Sequence, residues 1–555
     1  MGAIGASVLL VTLAFIIVYP VGLVALQSFD VADPGMPRQW SLQGWQAAVS
    51  EPLLRSSIVN TLVLTIIKQA ITLPMAIAIA WLLARTDLPW SRTLEFGFWV
   101  AFFLPPLTVT QSWLLLADAH YGLLNQLLIT IGGARQGPFN IYSFWGLVWV
   151  DVVTAAFTVK VILLTPAFRY MNSSYEEASR IVGANSLRTA LRITIPIMLP
   201  TILVVLLLGT MASLQSFEVE QVLGTPFRFF VFSTMIYNLV ESSRPSYAPA
   251  AALAVMILIV ALPAVILQLR MTSRRRYTTV TGQFKNQVTP LGVWRVPLLA
   301  LVLVVMLAVL GVPIVLSSAG TFMTVYGFLN IAHPWTLDNW VNAFRDPLLL
   351  RSLANTLQLA LGSAVLGLFV YALIAYVAVR SRFRFRRTLD LVSWLPFTVP
   401  GLILSLALLS LFLGIVVLRP VYGTTWVLIL AAVLTGMPLG VQIIKTNLMQ
   451  LGPELEEASR IAGGSWLVTY RRIVLRLLAP ALLTVSLIVF VGAARNVSYV
   501  ALLSTTANQP LAMLQLNYLA QGKNEIASVI AFVVMLASVG GAFVARAAGF
   551  RGAAL

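Results

Sequence analysis

The sequence predicts an all-α polytopic membrane protein, with about twelve transmembrane helices in two tandem six-helix repeats around a central passage. Three observations carry that prediction. The 555 residues are 59% hydrophobic and only 10% charged, with a mean hydropathy of +0.91. A soluble fold could not cover so much apolar surface. The apolar residues fall in continuous runs of about 20, the length at which a helix crosses hydrocarbon, whereas barrel strands alternate over about ten. Finally, landmarks of the first half recur in the second, the signature of a duplication.

In chain order the predicted spans of the first half are Ile4–Leu26, Ile58–Ala84, Leu94–Ala117, Ile141–Phe168, Ile197–Phe217 and Ala248–Leu269. Those of the second are Val296–Leu316, Ser352–Val379, Leu389–Leu413, Val421–Ile444, Leu477–Ala494 and Ile526–Ala545. The first run has no basic segment before it and is long enough to stay as a helix, so a cleaved signal peptide is not expected. With the N-terminus placed in the cytoplasm, 24 of the 36 Lys and Arg residues fall on inward loops and nine on outward loops; Lys68, Lys160 and Arg495 lie in or beside helices. This asymmetry follows the positive-inside rule and puts both termini in the cytoplasm. It also accounts for the net charge of +17 without a nucleic-acid partner. The absence of cysteine excludes disulfides and thiolate chemistry. The two histidines, His120 and His333, sit in outward loops, each without a second close ligand, and read as surface residues rather than a metal centre.

The repeat begins with "WSLQGWQAAVSEPLLRSSIVNTL" at Trp40 and "WTLDNWVNAFRDPLLLRSLANTL" at Trp335. Trp40, Trp45, Pro52 and Asn60 recur at an offset of 295, while Arg351 falls one place later than Arg55 predicts. "FLPPLTV" from Phe103 returns loosely as "WLPFTVP" from Trp394. The division is therefore a first half over 1–270, a polar and basic cytoplasmic linker over 271–294, and a second half over 295–555. Each half crosses an even number of times, so the halves are parallel repeats about an axis along the membrane normal.

Between the fourth and fifth spans of each half lies a charged interruption: "EEASRIVGANS" from Glu176 and "EEASRIAGGSW" from Glu456. Ser174 precedes Glu177 with capping-box spacing, and acidic residues suit the positive end of a helix. Tyr175, Ala178, Ile181 and Val182 fall on one helical face; Leu455, Ala458 and Ile461 do so in the second copy. Gly183 and Gly463 sit where a left-handed residue stops a helix. Each half thus presents a short amphipathic helix in the cytoplasm. It either packs on its own bundle and the headgroups or plugs into a soluble partner. Two copies in equivalent places favour a dimeric partner.

These residues resemble the EAA motif of binding-protein-dependent ABC importer permeases. Glu177, Ala178, Gly183, Ile193 and Pro196 stand in register, with Ser179 for the second alanine and Ile195 for leucine. The second copy keeps Glu457, Ala458, Gly463, Ile473 and Leu475, with Ser459 for alanine and Arg476 in place of the motif proline. The resemblance implies that these loops are coupling helices docking an ATP-hydrolysing subunit through Glu176, Glu177, Ala178, Gly183, Glu456, Glu457, Ala458 and Gly463. It implies two copies of that subunit, a periplasmic substrate-binding protein and a bacterial inner-membrane location among lipid. Over essentially the whole length the chain looks like fused permeases of the iron(III)/thiamine type. "RRRYTTVTG" from Arg274 and "SFEVEQVLGTPFRFFVFSTMIY" from Ser216 look most like the ferric-iron branch. Related permeases carry thiamine, phosphonate, phosphorylated sugar or polyamine.

The chain has no GxxxxGK[ST] loop; its one Gly-Lys pair, Gly522-Lys523, is followed by Asn524. No cofactor is therefore expected in this chain, and ATP and magnesium belong to the partner. It reads as a non-catalytic subunit working by alternating access. Charges inside spans cost about 2.5–3.5 kcal/mol each at a helix centre. Lys68, Asp151 and Lys160 lie within predicted spans, and Glu218, Glu220 and Arg495 at span ends. They either line a polar passage or form buried pairs, with Lys160 snorkelling to the cytoplasmic side and the glutamates at the interface. An ion-coupled secondary transporter shares the two-half architecture but gives no role to the repeated charged loop. A membrane enzyme would need a clustered His, Cys or carboxylate site, which the sequence lacks.

Overall fold

The computed structural model describes residues 3–32, 36–132, 137–172, 174–274 and 288–547. Among these residues the regular structure is helical, and β pairing is confined to three isolated bridges. Apolar runs become helices because a backbone removed from water must satisfy its own N–H and C=O groups.

The first half opens with α1 (Ala3–Gln27), a short α2 (Gln43–Ser50) and the 34-residue α3 (Pro52–Arg85). The next segments are α4 (Ser91–Phe103), α5 (Pro106–Ala117), α6 (Leu123–Gly132), α7 (Phe144–Val153) and α8 (Ala155–Arg169). Two short connecting helices follow, α9 (Ser174–Ile181) and α10 (Ser186–Thr189), the latter running through a π-turn (Ala190–Thr194) into α11 (Ile195–Leu214). The half closes with α12 (Phe232–Glu241) and α13 (Tyr247–Arg274). The second half comprises α14 (Arg295–Met306), α15 (Val312–Gly320), α16 (Asp338–Arg345), α17 (Pro347–Arg380), α18 (Arg386–Thr398), α19 (Gly401–Gly414) and α20 (Thr425–Gln450). Its connecting helices are α21 (Glu454–Ile461) and α22 (Trp466–Thr469), then a π-turn (Tyr470–Val474), α23 (Leu475–Leu477), α24 (Ala479–Arg495), α25 (Leu511–Ala520) and α26 (Asn524–Ala547).

The duplication reaches individual hydrogen bonds. α16, α17 and α18 begin and end 295 positions after α2, α3 and α4, and α21 and α22 follow α9 and α10 by 280. Pro52 and Pro347 each open a 34-residue helix, where a missing N–H costs nothing. Asn60 donates to the Phe230 carbonyl at 2.9 Å, and Asn355 to that of Gln509 at 3.2 Å. The Thr61 hydroxyl accepts from the Phe232 amide at 2.9 Å, and Thr356 from Leu511 at 2.8 Å. Each half's opening helix packs on the other half: α1 against α18 and α19, α14 and α15 against α4 and α5.

All twelve predicted runs fall on helices, but the span count differs from twelve. Among the described residues eight helices are long and apolar enough to cross a membrane, or eleven if each bent pair is one span. Two expected straight spans are broken: α4–α5 bends by 99° and α18–α19 by 108°; the expected span Leu477–Ala494 stays on α24, which the segment Trp466–Leu477 meets at 75°. The first two bends have a local cause. A residue before proline is sterically pushed out of the helical region; Leu104, before Pro105, lies at φ −63°, ψ 134°, and Val399, before Pro400, at φ −101°, ψ 113°. α7 and α8 part only at Thr154 and together form one candidate span, Phe144–Arg169, that carries both Asp151 and Lys160. Of the expected linker, 275–287 lies outside the described residues. Beyond it, Thr289 donates its amide to the Arg85 carbonyl at 2.8 Å.

A close helix approach in the second half is built around Tyr371. Its ring is fully buried and its hydroxyl donates to the Val433 carbonyl at 2.6 Å. A Cβ on Gly440 would lie 2.3 Å from that ring, whereas one on Gly132 would meet nothing within 4 Å. Gly440→Ala is expected to cost about 1–3 kcal/mol through overpacking, seen as a lower thermal unfolding temperature in detergent. Gly132→Ala should leave that temperature unchanged.

Candidate functional site: two connecting helices and a buried charge cluster

The connecting helices α9 and α21 are held by their own bundle through one carboxylate each. Glu176 is buried and forms an ion pair with the fully buried Arg85, the last residue of α3. It also accepts from the Thr194 hydroxyl at 2.8 Å, while Arg85 donates to the Met171 carbonyl at 3.1 Å. In the second half, Glu456 forms an ion pair with Arg380, 3.0 Å from its Nε, and accepts from the Tyr376 hydroxyl at 2.8 Å. Arg380 is the last residue of α17 and stands 295 positions after Arg85. A second link joins each connecting helix to the next: Ser179 to Thr189 at 2.9 Å, Ser459 to Thr469 at 2.8 Å. Both helices end on a left-handed glycine, Gly183 at φ +84° and Gly463 at φ +80°. These are backbone angles a side chain would resist.

With the carboxylates turned in, the apolar faces turn out. Ile181 is 86% exposed, Val182 87% and Ile461 88%. Tyr175, Leu455, Ala178 and Ala458 are exposed with them. This corrects the expected role of two residues. Glu176 and Glu456 are not surface groups for docking; they orient the helices whose other face is open. Glu457 is exposed and Glu177 half-buried. Arg85, Arg380, Thr194 and Tyr376 were not singled out by sequence reasoning, which counted the two arginines only as topology charges. For the arginines, their recurrence at the repeat offset was the available signal; Thr194 and Tyr376 do not recur.

The charges within the bundle form a compact cluster in the first half. Lys68 on α3 pairs with Asp151 on α7 at 2.9 Å and with Glu220 at 3.5 Å, and donates to Ser216 at 3.2 Å. Ser216 in turn donates to Glu220. Lys68 and Asp151 are each 2% exposed and Glu220 is 0%. Lys160 does not snorkel: it is buried and donates to Thr72 at 2.6 Å and the Ala156 carbonyl at 3.1 Å. Glu218 and Glu220 do not end the fifth span at an interface; α11 stops at Leu214 and both lie inside. The buried-pair alternative therefore holds for Lys68 and Asp151.

Where the halves meet, the contacts are again duplicated. Gln215, just past α11, donates to the Phe397 carbonyl at 3.0 Å. Arg495, 280 positions later, donates to the Phe102 carbonyl, and Phe102 lies 295 before Phe397. Arg495 also donates to the Leu104 carbonyl at 3.1 Å and lies over the Phe102 ring. Glu218 accepts from the Val497 amide of the opposite half at 2.8 Å. The bent pairs thus expose carbonyls that the other half caps. His120 is exposed, and the adjacent Asp118 carboxylate accepts from its amide at 2.7 Å and from that of Tyr121 at 3.1 Å, closing the loop.

Residues 365–550 match the family described as binding-protein-dependent transport system inner membrane component. The ferric transport system permease protein FbpB of Actinobacillus pleuropneumoniae is 30% identical over 434 residues, 75% of this chain and 61% of that protein. The match thus spans about three fifths of that relative's length. A putative ferric transport system permease protein, FbpB 1 of Haemophilus influenzae, is 28% identical over 509 residues, 88% of this chain and 76% of its own length. A crystal structure of a bacterial ABC transporter involved in the import of the acidic polysaccharide alginate aligns with 49% of this chain and 96% of its own. It does so at 21% identity and a TM-score of 0.42.

The cluster yields a stability prediction. Lys68→Met strands two carboxylates, and removing one partner of a buried pair costs about 3–5 kcal/mol. The single variant is expected to unfold at a markedly lower temperature in detergent. Lys68→Met combined with Asp151→Asn and Glu220→Gln should recover most of the loss; equal damage in both would contradict the pairing.

Proposed function

From the premise that residues 365–550 match the family of binding-protein-dependent transport system inner membrane components, we propose that this chain is a permease subunit of an ATP-driven importer. It takes cargo from a periplasmic binding protein and passes it between its two halves by alternating access. ATP is hydrolysed by two copies of a separate subunit, and this chain catalyses nothing. On this reading α9 and α21 face the cytoplasm, as do both termini, and the chain lies in the bacterial inner membrane.

One observation carries the reading: each half presents, at equivalent places, a short helix whose apolar face is open while its carboxylate is pinned inside. Exposed Ile181, Val182 and Ile461 cover no part of their own bundle. A helix face of this kind fits a groove in a soluble partner, and two of them about a pseudo-twofold axis fit a dimer. Partner closure then changes the separation of α9 and α21. Because both are anchored to the ends of α3 and α17, the halves rock with them. Gln215 and Arg495 hold the bent pairs of the opposite halves, so these bonds exchange when the passage opens.

For cargo we propose ferric iron, supported by the two ferric permease relatives. Lys68, Asp151, Lys160, Glu218, Glu220 and Arg495, buried within the bundle, are the charged groups that we propose come to line the passage when it opens. Their mixed sign suits an ion that moves with its ligands.

The docking claim has a direct test. Ile181→Asp with Ile461→Asp places a charge in each proposed groove contact, where core apolar contacts cost more than about 1 kcal/mol when lost. Tagged wild-type chain should co-purify with the ATP-hydrolysing subunit at two copies per chain. The double variant should fold and lose that subunit at least tenfold, about 1.4 kcal/mol. Undiminished co-purification would contradict the proposal.

A further inference from the structure

Resting on the function just proposed, we infer that the two connecting helices drive different parts of the bundle: α9 moves α3 and α11 together, whereas α21 moves α17 alone. Glu176 and Thr194 are the positioning residues that make the difference.

The two anchors look alike but bind different elements. In the first half the Glu176 carboxylate is shared between Arg85, from α3, and Thr194, from the turn that leads into α11. The residue 280 positions after Thr194 is Val474, which has no hydroxyl. There the second ligand of the carboxylate is Tyr376, and both Tyr376 and Arg380 belong to α17. The serine–threonine links to α10 and α22 are the same in both halves, so the divergence begins beyond them.

The backbone downstream diverges in the same sense. From Ala190 to Leu214 the first half runs as one 25-residue span. Pro196 sits in the first turn of α11, where the missing N–H is tolerated. In the second half Arg476 stands there instead, α23 ends at Leu477, and the axis turns by 75° at Leu478 before α24. A continuous helix transmits displacement along its axis, and a break absorbs it. The hydroxyl missing at Val474 and the break at Leu478 therefore act together: α24 is released from α21, whereas α11 follows α9.

The chain contains no cysteine, so paired cysteines can carry spin labels in the assembled importer. Ser174→Cys with Leu203→Cys reports α9 against α11. Glu454→Cys with Leu483→Cys reports α21 against α24; both leucines are exposed. Between nucleotide-free and ATP-bound complexes, the first distance should hold within about 2 Å while the second changes by more. Two constant distances, two equal changes or the reverse pattern would overturn the inference. A functional arm uses Thr194→Val, which gives the first anchor the second half's chemistry. Cargo moved per ATP hydrolysed should fall about fivefold or more, the scale of a modest coupling energy. An unchanged ratio would also overturn it. Absence of any ATP-hydrolysing subunit from the purified wild-type complex is a separate failure: it overturns the function proposed above before any distance is measured.

Discussion

The arrangement depends on a carboxylate buried under a short helix and held by the last arginine of a long one. Glu176 with Arg85 and Glu456 with Arg380 occupy equivalent points of the two halves. A buried ion pair adds little net stability over a well-packed apolar pair, because desolvation offsets most of its attraction. What it fixes is orientation, since neither charge can turn away without being stranded. With Glu176 and Glu456 locked inward, the helical period forces Ile181, Val182 and Ile461 outward. The open apolar faces and the anchors are thus two consequences of the same constraint.

Much of this was legible in the sequence. The apolar runs all became helices, and the positions of Gly183 and Gly463 announced the left-handed stops seen at φ +84° and +80°. The amphipathic face of α9 was visible in Tyr175, Ala178 and Ile181. What hydropathy could not show was direction. A window over Leu94–Ala117 counts apolar residues and does not register that Leu104, held extended by Pro105, turns the chain by 99°. Nor does local patterning reveal partners distant in the chain: Arg85 and Glu176 are 91 positions apart, Tyr376 and Glu456 80. Glutamates beside the docking motif were read as contacts because their burial depends on arginines far away in sequence.

The two halves share their frame and differ in their filling. At the repeat positions of Lys68, Asp151, Lys160 and Glu220 the second half has Ser363, Ala431, Gly440 and Val500. Where the first half places Lys160 against Thr72 and Gly209, the second places Tyr371 against Gly440. Charge in one half is answered by an aromatic ring in the other, so each half solves the same packing problem with different chemistry. Duplication preserved what both halves must do, namely anchor a connecting helix and cap the partner's bent pair. It left the interior free to diverge. On the function proposed, a passage between the halves would present a cargo with two unlike walls.

The central claim is that a separate ATP-hydrolysing motor works this protein through α9 and α21. Reconstitution into vesicles tests it most directly, with the binding protein and its ferric cargo outside and nucleotide inside. The account predicts cargo uptake only when the ATP-hydrolysing subunit and ATP are both present, with no response to an imposed proton or sodium gradient alone. Sustained uptake by this chain without that subunit, driven by an ion gradient, would contradict it.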